Sequence, residues 1–175
     1  MSMSPPMSIR VQTVIDLNEL LLSMLGMLRN SISDGIALST ILAVPIAAVR
    51  MEASAMQKAI LHLAGNFHNA MPNGGGLLFE TENIRFDSEE ACSELGLAPG
   101  EYIRLSVSGA GADPAHIGVA PSSSGPPNCS TSLLLLAPIY ALARRHGGIA
   151  TIRSEPKNTT MSLYLAREPE AADKI

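Results

Sequence analysis

Residues 62–86 read HLAGNFHNAMPNGGGLLFETENIRF, and this stretch decides the fold. Its first half continues a pattern that begins near residue 53, in which apolar residues recur at steps of three and four, as they do along one face of a helix. Pro72 and three glycines follow, which end a helix and permit the backbone angles of a tight turn. The last ten residues alternate as in a half-buried strand. The stretch therefore predicts a helix over 53–71, a tight turn and a strand over 77–86.

The flanking sequence supplies further helices and strands by the same criteria. Helical spacing predicts helices over 17–29 and 134–146, and Asp16 is available to cap the first of them. The other predicted strands are 36–42, 46–51, 101–108, 149–155 and 160–166.

The order of these elements restricts the fold class. We expect the strands 77–86 and 101–108 to pair antiparallel and the last two strands to form a hairpin. Three helices combined with a mixed, mostly antiparallel sheet exclude a parallel doubly wound fold and predict a two-layer α/β sandwich. Its core should contain four large apolar side chains, Leu63, Phe67, Leu105 and Leu142.

Length and composition describe one folded domain. The chain has 175 residues, of which 46% are hydrophobic and 16% are charged, so there is enough apolar material for one core. Residues 1–8 show no periodicity, and residues 167–175 are charged and rich in alanine. We therefore expect a disordered N-terminus, a domain over 9–166 and a flexible C-terminal tail.

Charge and hydropathy argue against two classes of partner. A net charge of -4 disfavours nucleic acid, whose binding proteins carry a basic surface. The most apolar stretches, 36–49 and 133–143, are shorter than the ~20 residues of a membrane-spanning helix, so no membrane insertion is expected. No secretory signal precedes Cys92 and Cys129, which are interpreted as free thiols in a reducing compartment. We therefore expect a cytoplasmic protein.

Three segments occur in an order and spacing that indicate a family. They are the opening stretch, GLAPGEYIRLSVSGAG at 96–111 and ARRHGGIATIRSEPKNTTMSLYLA at 143–166. Together they resemble the ATP-binding domain of bacterial sensor histidine kinases, within the GHKL superfamily. The resemblance implies a Bergerat-type ATPase fold, in which helices cover one face of the sheet, ATP lies between helices and sheet, and a flexible lid covers the phosphates.

The family's helical motif, N-L-x-x-N-A-x-x-A-M, falls on residues 62–71. Its second Asn, which in the family helps to hold magnesium on the ATP phosphates, corresponds to Asn66, and Asn69 follows on the same polar side. His62 replaces the first Asn, and Phe67 replaces the alanine after the second. Because Mg²⁺ requires hard oxygen ligands in octahedral geometry, solvated polar side chains are expected here more than a working metal site at Asn66.

The family's adenine-binding motif, D-x-G-x-G, is represented by Gly109 and Gly111 without an acidic residue before them. Asp113 lies too far along the chain to substitute. Loss of a buried hydrogen-bond partner costs about 1 to 3 kcal/mol, so recognition of adenine should suffer. Thr160 is the candidate for the threonine that lies near adenine in the family.

The phosphate-binding motif of the family, G-x-G-L-G-L, has lost its glycines. Residues 131–136 read TSLLLL, where leucine side chains fill space and oppose the required backbone angles. The long loop before it, 109–130, is either a functional lid or a disordered remnant. We expect the pocket beside Asn66 to be too small for a nucleotide. We also expect the apolar residues 133–136 to be covered in part by a partner, by a second copy of the chain or by the lid.

Three functions are compatible with these motifs. The first is a signalling module with a degenerate nucleotide site and no cofactor, inactive by itself, which acts by contacting a response-regulator receiver domain, a kinase helical hairpin or a second copy of the chain. The alternative is a functional domain that uses ATP and Mg to phosphorylate a His on a separate hairpin. A phosphotransfer adaptor would need such a hairpin, which we do not find in the sequence. His62 and His68 are interpreted as surface residues, since the family's phosphorylated His belongs to the hairpin.

Overall fold

A computed structural model describes residues 11–89, 93, 95–117 and 133–169 of the chain. Its helices are α1 (Leu17–Ser31), α2 (Ala53–Ala70), α3 (Pro114–Ile117) and α4 (Leu133–Arg145). Its strands are β1 (Thr13–Ile15), β2 (Ile36–Leu42), β3 (Val49–Met51), β4 (Gly75–Phe86), β5 (Gly100–Ala110), β6 (Ile149–Glu155) and β7 (Asn158–Ala166). The predictions for residues 1–8, for the two cysteines and for most of the long loop lie outside the described residues.

The main sheet has five strands in the order β2, β4, β5, β7, β6. β2 runs parallel to β4, and every other neighbouring pair is antiparallel. The predicted pairing of β4 with β5 and the predicted β6–β7 hairpin are therefore confirmed. So is the two-layer α/β sandwich with a mixed, mostly antiparallel sheet.

Helices α1, α2 and α4 contribute to one apolar core on one face of the sheet. Asp16 caps α1, because its Oδ1 accepts hydrogen bonds from the backbone N–H groups of Asn18 at 2.7 Å and Glu19 at 3.1 Å. The side chains predicted for the core are all buried there, namely Leu63, Phe67, Leu105 and Leu142. Along β5, alternate residues face the helices and are fully buried, namely Ile103, Leu105 and Val107.

One strand was predicted too long, and another was not predicted. The strand expected over 46–51 is shortened to β3, because the backbone before it bonds to a side chain instead: Asn83 accepts from the Ala47 N–H at 2.9 Å and donates to the Pro45 carbonyl at 2.8 Å. β3 pairs outside the main sheet with β1, a strand of three residues that is too short for its periodicity to be recognised.

The first residues of the expected C-terminal tail are held by the domain. The N–H of Arg167 donates to the Glu101 carbonyl at 3.0 Å, and the N–H of Glu168 donates to the Ala48 carbonyl at 2.8 Å. Side-chain ion pairs reinforce both contacts, between Arg167 and Glu101 at 2.8 Å and between Arg50 and Glu168 at 2.6 Å. The ordered domain thus continues past residue 166.

None of the helices in the described parts of the chain is long and apolar enough to cross a membrane.

Candidate functional site

The C-terminal end of β5 lies under α2, where the aromatic ring of Phe67 packs against Gly109. Phe67 has no solvent exposure. A Cβ atom built at Gly109 would lie 2.4 Å from Cδ1 and 2.9 Å from Cε1 of the Phe67 ring, closer than non-bonded carbon atoms approach. The ring therefore occupies the space that the missing side chain leaves on the helix side of β5.

Val107 lies two residues before Gly109 and faces the same core. It occupies the position that the motif D-x-G-x-G gives to its acidic residue. Its side chain is fully buried in the apolar cluster, and it has no atom that can donate or accept a hydrogen bond. The floor of the candidate site is therefore apolar at this point.

The two asparagines of α2 differ in their surroundings. Asn69 is exposed, whereas Asn66 is partly buried. The Nδ2 atom of Asn66 is shielded from solvent and has no hydrogen-bond partner among the residues that the structure describes. An unsatisfied buried donor costs about 1 to 3 kcal/mol, so this is an unfavourable position for a polar side chain.

Gly111 has a conformational role at the edge of the candidate site. Its φ of +93° lies in the left-handed region that favours glycine. Its N–H donates to the carbonyl of Lys157 in the β6–β7 turn at 2.8 Å, so this donor is already used within the protein. A Cβ at this position would lie 3.4 Å from the Gly74 carbonyl oxygen. Gly111 thus joins three chain segments at one corner of the sheet.

Thr160 does not lie with the other predicted residues. It pairs with Ser108 across β5 and β7, and their hydroxyl oxygens are 2.9 Å apart on the sheet face away from the helices. The preceding residue, Thr159, pairs with Gly109 and is fully buried on the helix side. The register therefore places Thr159, and not the predicted Thr160, on the same face of the sheet as Gly109.

Comparisons with known proteins are informative at the level of structure. The sequence matches no family model and no curated protein. The mycobacterial sensor histidine kinase MprB superposes with a TM-score of 0.61 and 20% identity, over 91% of this chain and 99% of that one. A histidine kinase from Burkholderia phymatum STM815 gives a TM-score of 0.64 and 15% identity, over 91% and 72% of the two chains.

A third match comes from a complex. The histidine kinase ThkA, solved in complex with the response regulator protein TrrA, gives a TM-score of 0.57 and 15% identity, over 92% of this chain and 43% of that one. The chain has the fold of a histidine kinase ATP-binding domain. The resemblance seen in the three sequence segments is thereby confirmed for the fold.

Part of the lid region of this histidine kinase fold is described. Leu136 is buried in the domain's own core, so this residue does not need a partner to cover it. The side chains of residues 133–135 and the loop 118–132 lie outside the described residues, and the predictions that rest on them stay predictions. Pro138 lies inside α4.

A groove of about 1320 Å³ lies on the face of the sheet opposite to the helices. Its floor contains paired hydroxyl groups, Ser106 with Ser162 at 3.0 Å and Ser108 with Thr160 at 2.9 Å. Gly109 lies on the other side of the sheet, so this groove is separate from the nucleotide site of the histidine kinase fold. The groove is also lined by charged side chains, among them Glu80, Arg104 and Arg153.

A polar pair that the sequence analysis missed lies at the start of α3, where Asp113 precedes the helix and His116 is within it. Asp113 Oδ1 accepts a hydrogen bond from the Ala115 N–H at 2.9 Å, and Asp113 Oδ2 is 3.1 Å from Nδ1 of His116. The i,i+3 spacing of an acid and a histidine was the available signal, but it fell inside a segment interpreted as loop.

Proposed function

We propose that this chain is a cytoplasmic two-component signalling module with a histidine kinase-like fold, whose nucleotide site does not bind ATP and which acts through protein contacts. The observation that carries the proposal is the closed contact between Phe67 and Gly109. The resemblance implies that ATP lies in the space between the helices and the sheet, where this glycine lets the backbone approach adenine. In this chain an aromatic side chain fills that space.

The energetic consequence for nucleotide binding is large. A nucleotide base would have to displace Phe67, whose burial stabilises the fold by roughly 1.5 to 3 kcal/mol. The adenine amino group would also face Val107 in place of a carboxylate, at a cost of about 1 to 3 kcal/mol. Since about 1.4 kcal/mol is tenfold in affinity, the two effects together weaken binding by about two to four orders of magnitude relative to a site with alanine and aspartate.

The residues around Asn66 also disfavour metal binding. The described parts of the chain contain no group of three or more His, Cys, Asp or Glu side chains that could hold a metal ion. Asn66 offers one amide oxygen, whereas Mg²⁺ is held by carboxylates together with substrate phosphates. Neither ATP nor Mg is therefore expected as a cofactor.

The partner we favour is a response-regulator receiver domain. The support is indirect: ThkA, which shares this fold, was solved with a response regulator. A kinase helical hairpin and a second copy of this chain are the other candidates.

A second function is favoured by one observation. The buried Nδ2 atom of Asn66 has no partner within the described part of the chain, so it could donate a hydrogen bond to a ligand. On this reading the chain is a functional ATP-binding domain that phosphorylates a His on a separate hairpin. It requires Phe67 to move away from Gly109 when the nucleotide binds.

Calorimetric titration with Mg-ATP separates the two functions. We expect no binding at micromolar affinity by the unmodified chain, and measurable binding by a variant that carries both Phe67→Ala and Val107→Asp. Leu63→Ala is the matched control, because it also opens a fully buried position on α2 but leaves Phe67 and Val107 in place. Micromolar binding or ATP hydrolysis by the unmodified chain contradicts the proposal.

Direct binding assays test the partner. Immobilised chain is titrated with receiver domains, with kinase helical hairpins and with itself, each under the same conditions. Binding to receiver domains alone supports our choice, and binding to hairpins or self-association alone replaces it.

A further inference from the structure

Strand β2 forms one edge of the main sheet. It pairs with β4 on one side, and none of the described residues adds a strand to its other side. The Gly35 carbonyl accepts from the first N–H of β4 at 3.1 Å, and the Ala43 N–H donates to a β4 carbonyl at 3.2 Å. Because the backbone polar groups of alternate residues in a strand point to opposite sides, Leu38, Thr40 and Leu42 direct theirs away from the sheet.

The outward backbone groups of β2 are available to another strand. Within the described part of the chain, no backbone hydrogen bond from a loop or turn reaches Leu38, Thr40 or Leu42. A row of unpaired N–H and C=O groups at a sheet edge is a template on which a further strand can pair. Leu38 and Leu42 pack against the core but are only partly buried, so a further strand would also cover their side chains.

Exposed apolar side chains flank this edge on both faces of the sheet. On the face away from the helices, the Ile41 side chain is 58% exposed. On the helix face, Asn18 of α1 donates to the Ala43 carbonyl just after β2, at 2.7 Å. Leu22 follows one helical turn later on the same side of α1 and is 54% exposed. A strand added to β2 would therefore remove apolar surface from water on both faces.

The two edges of the main sheet differ in charge. β6, at the opposite edge, carries the exposed side chains of Arg153 and Glu155. β2 reads IALSTIL and contains neither a charged residue nor a proline. Charges and prolines are the residues by which edge strands commonly avoid pairing with other chains. The β6 edge is thus protected against strand addition, and the β2 edge is not.

The sequence of the outward row identifies the strand that fits it. Leu38, Thr40 and Leu42 read the same in both directions, so the row is complementary to itself when one copy is reversed. A two-fold symmetric interface requires this property, because each residue meets the residue that mirrors it. We propose that two copies of this chain pair through β2, antiparallel about a two-fold axis at Thr40, so that their main sheets join into one continuous sheet.

Every cross-strand pair in this arrangement is compatible. Leu38 lies opposite Leu42 of the second copy, and Thr40 lies opposite Thr40 of the second copy, where the two hydroxyl groups can bond. Apolar pairs and threonine pairs both stabilise neighbouring strands. On the face away from the helices, Ser39 lies opposite Ile41 of the second copy, so no like charges meet. Because the β6 edges are charged, pairing stops at two copies.

Sedimentation equilibrium and amide hydrogen exchange of the full chain test the pairing. The contact is small, so we expect a dissociation constant of roughly 10 µM to 1 mM. The N–H groups of Leu38, Thr40 and Leu42 should exchange more slowly as the concentration rises. Those of Ser39 and Ile41 face β4 in both states and should not respond, which distinguishes pairing through β2 from association through another surface.

Charge variants on the exposed face of β2 test the register without disturbing the core. A chain with Ser39→Lys and Ile41→Lys places like charges opposite each other, and so does a chain with Ser39→Glu and Ile41→Glu. Each should dimerise at least roughly tenfold more weakly, which is about 1.4 kcal/mol, and an equimolar mixture of the two should form a heterodimer. Thr151→Lys with Ser154→Lys adds the same charge to β6 and should leave dimerisation unchanged. Circular dichroism shows that each variant is folded.

The outcomes separate this inference from the proposed function. A chain that stays monomeric up to millimolar concentration, or a dimer that both charge variants leave intact, overturns the pairing through β2. A mixture of the folded Lys and Glu variants that stays monomeric overturns the two-fold register at Thr40. If receiver domains bind while the chain is monomeric, the proposed function stands and this inference fails. If β2 dimers form but receiver domains do not bind, this inference stands and the receiver partner is wrong.

Discussion

The Phe67–Gly109 contact can be tested by a double-mutant cycle on folding stability. Gly109→Ala places a methyl carbon 2.4 Å from Cδ1 of the Phe67 ring, so the ring or the strand must move. Overpacking of a core in this way costs typically 1 to 3 kcal/mol. Phe67→Ala removes the fully buried ring and should cost about 3 to 5 kcal/mol, which includes the cavity it leaves.

The informative quantity is the loss in the free energy of unfolding that Gly109→Ala causes in the Phe67→Ala variant. Without Phe67 the new methyl group still meets the Cβ of Ala112 at 2.9 Å, and it fills part of the cavity. Gly109→Ala should then cost less than about 1 kcal/mol, which gives a coupling of roughly 1 to 2 kcal/mol between the two sites.

Urea unfolding followed by circular dichroism measures all four corners of the cycle. Gly26→Ala is the matched control, because it adds the same methyl group on α1 with no atom within 4 Å, and its effect should be the same with and without Phe67. If Gly109→Ala and Phe67→Ala are additive within about 0.5 kcal/mol, the ring does not fill the space over the glycine. The argument for a closed nucleotide site then fails as well.

Three further predictions concern local features of the fold. Asp16→Ala should destabilise the domain by about 1 kcal/mol because it removes the α1 cap, whereas Glu52→Ala at the start of α2 should have a smaller effect, since Glu52 makes no capping bond there. The urea concentrations at the midpoints of unfolding measure both effects. Gly148→Ala should prevent folding or cost more than about 3 kcal/mol, because its Cβ would overlap a backbone carbonyl. Gly65→Ala inside α2 should instead stabilise the domain by about 0.5 to 1 kcal/mol, and expression and thermal unfolding distinguish the two variants. Burial lowers the pKa of His146 below the ordinary 6.5, so the stability that the neutral ring contributes is complete above that pH and is lost as the pH falls. On acidification from about pH 7.5 to about pH 5.5, the free energy of unfolding should therefore fall less for the His146→Gln variant than for the unmodified chain.

The elements that the sequence predicted well are those with a strong period. Helix α2 ends within one residue of its expected boundary, because its apolar stripe runs without interruption up to Pro72. The last strands of the sheet were found because a turn around Pro156 separates two alternating segments. β5 was predicted two residues too short at its C-terminal end, since Gly109 and Ala110 have little strand propensity and are held in the sheet by pairing with β7.

The site was harder to predict than the fold, because it depends on which face of a strand each residue occupies. A motif comparison aligns residue types, and Thr159 and Thr160 are the same type at adjacent positions. Their side chains point to opposite faces of β7, so an error of one residue moves the candidate from the core to the open face. The pairing of Thr159 with Gly109 depends on the strand register, which the two-residue turn between β6 and β7 sets and which the sequence pattern does not define.

If the proposed function holds, the lost glycines near residue 133 are not the first obstacle to nucleotide binding. Restoring flexibility there would leave Phe67 against Gly109 and Val107 beneath it, and both belong to the rigid layer between α2 and β5. Displacing a fully buried ring from such a layer requires α2 to shift, because protein interiors are packed as densely as organic crystals. A chain that regained ATP binding should therefore carry a smaller residue at position 67 before any change in the lid has an effect.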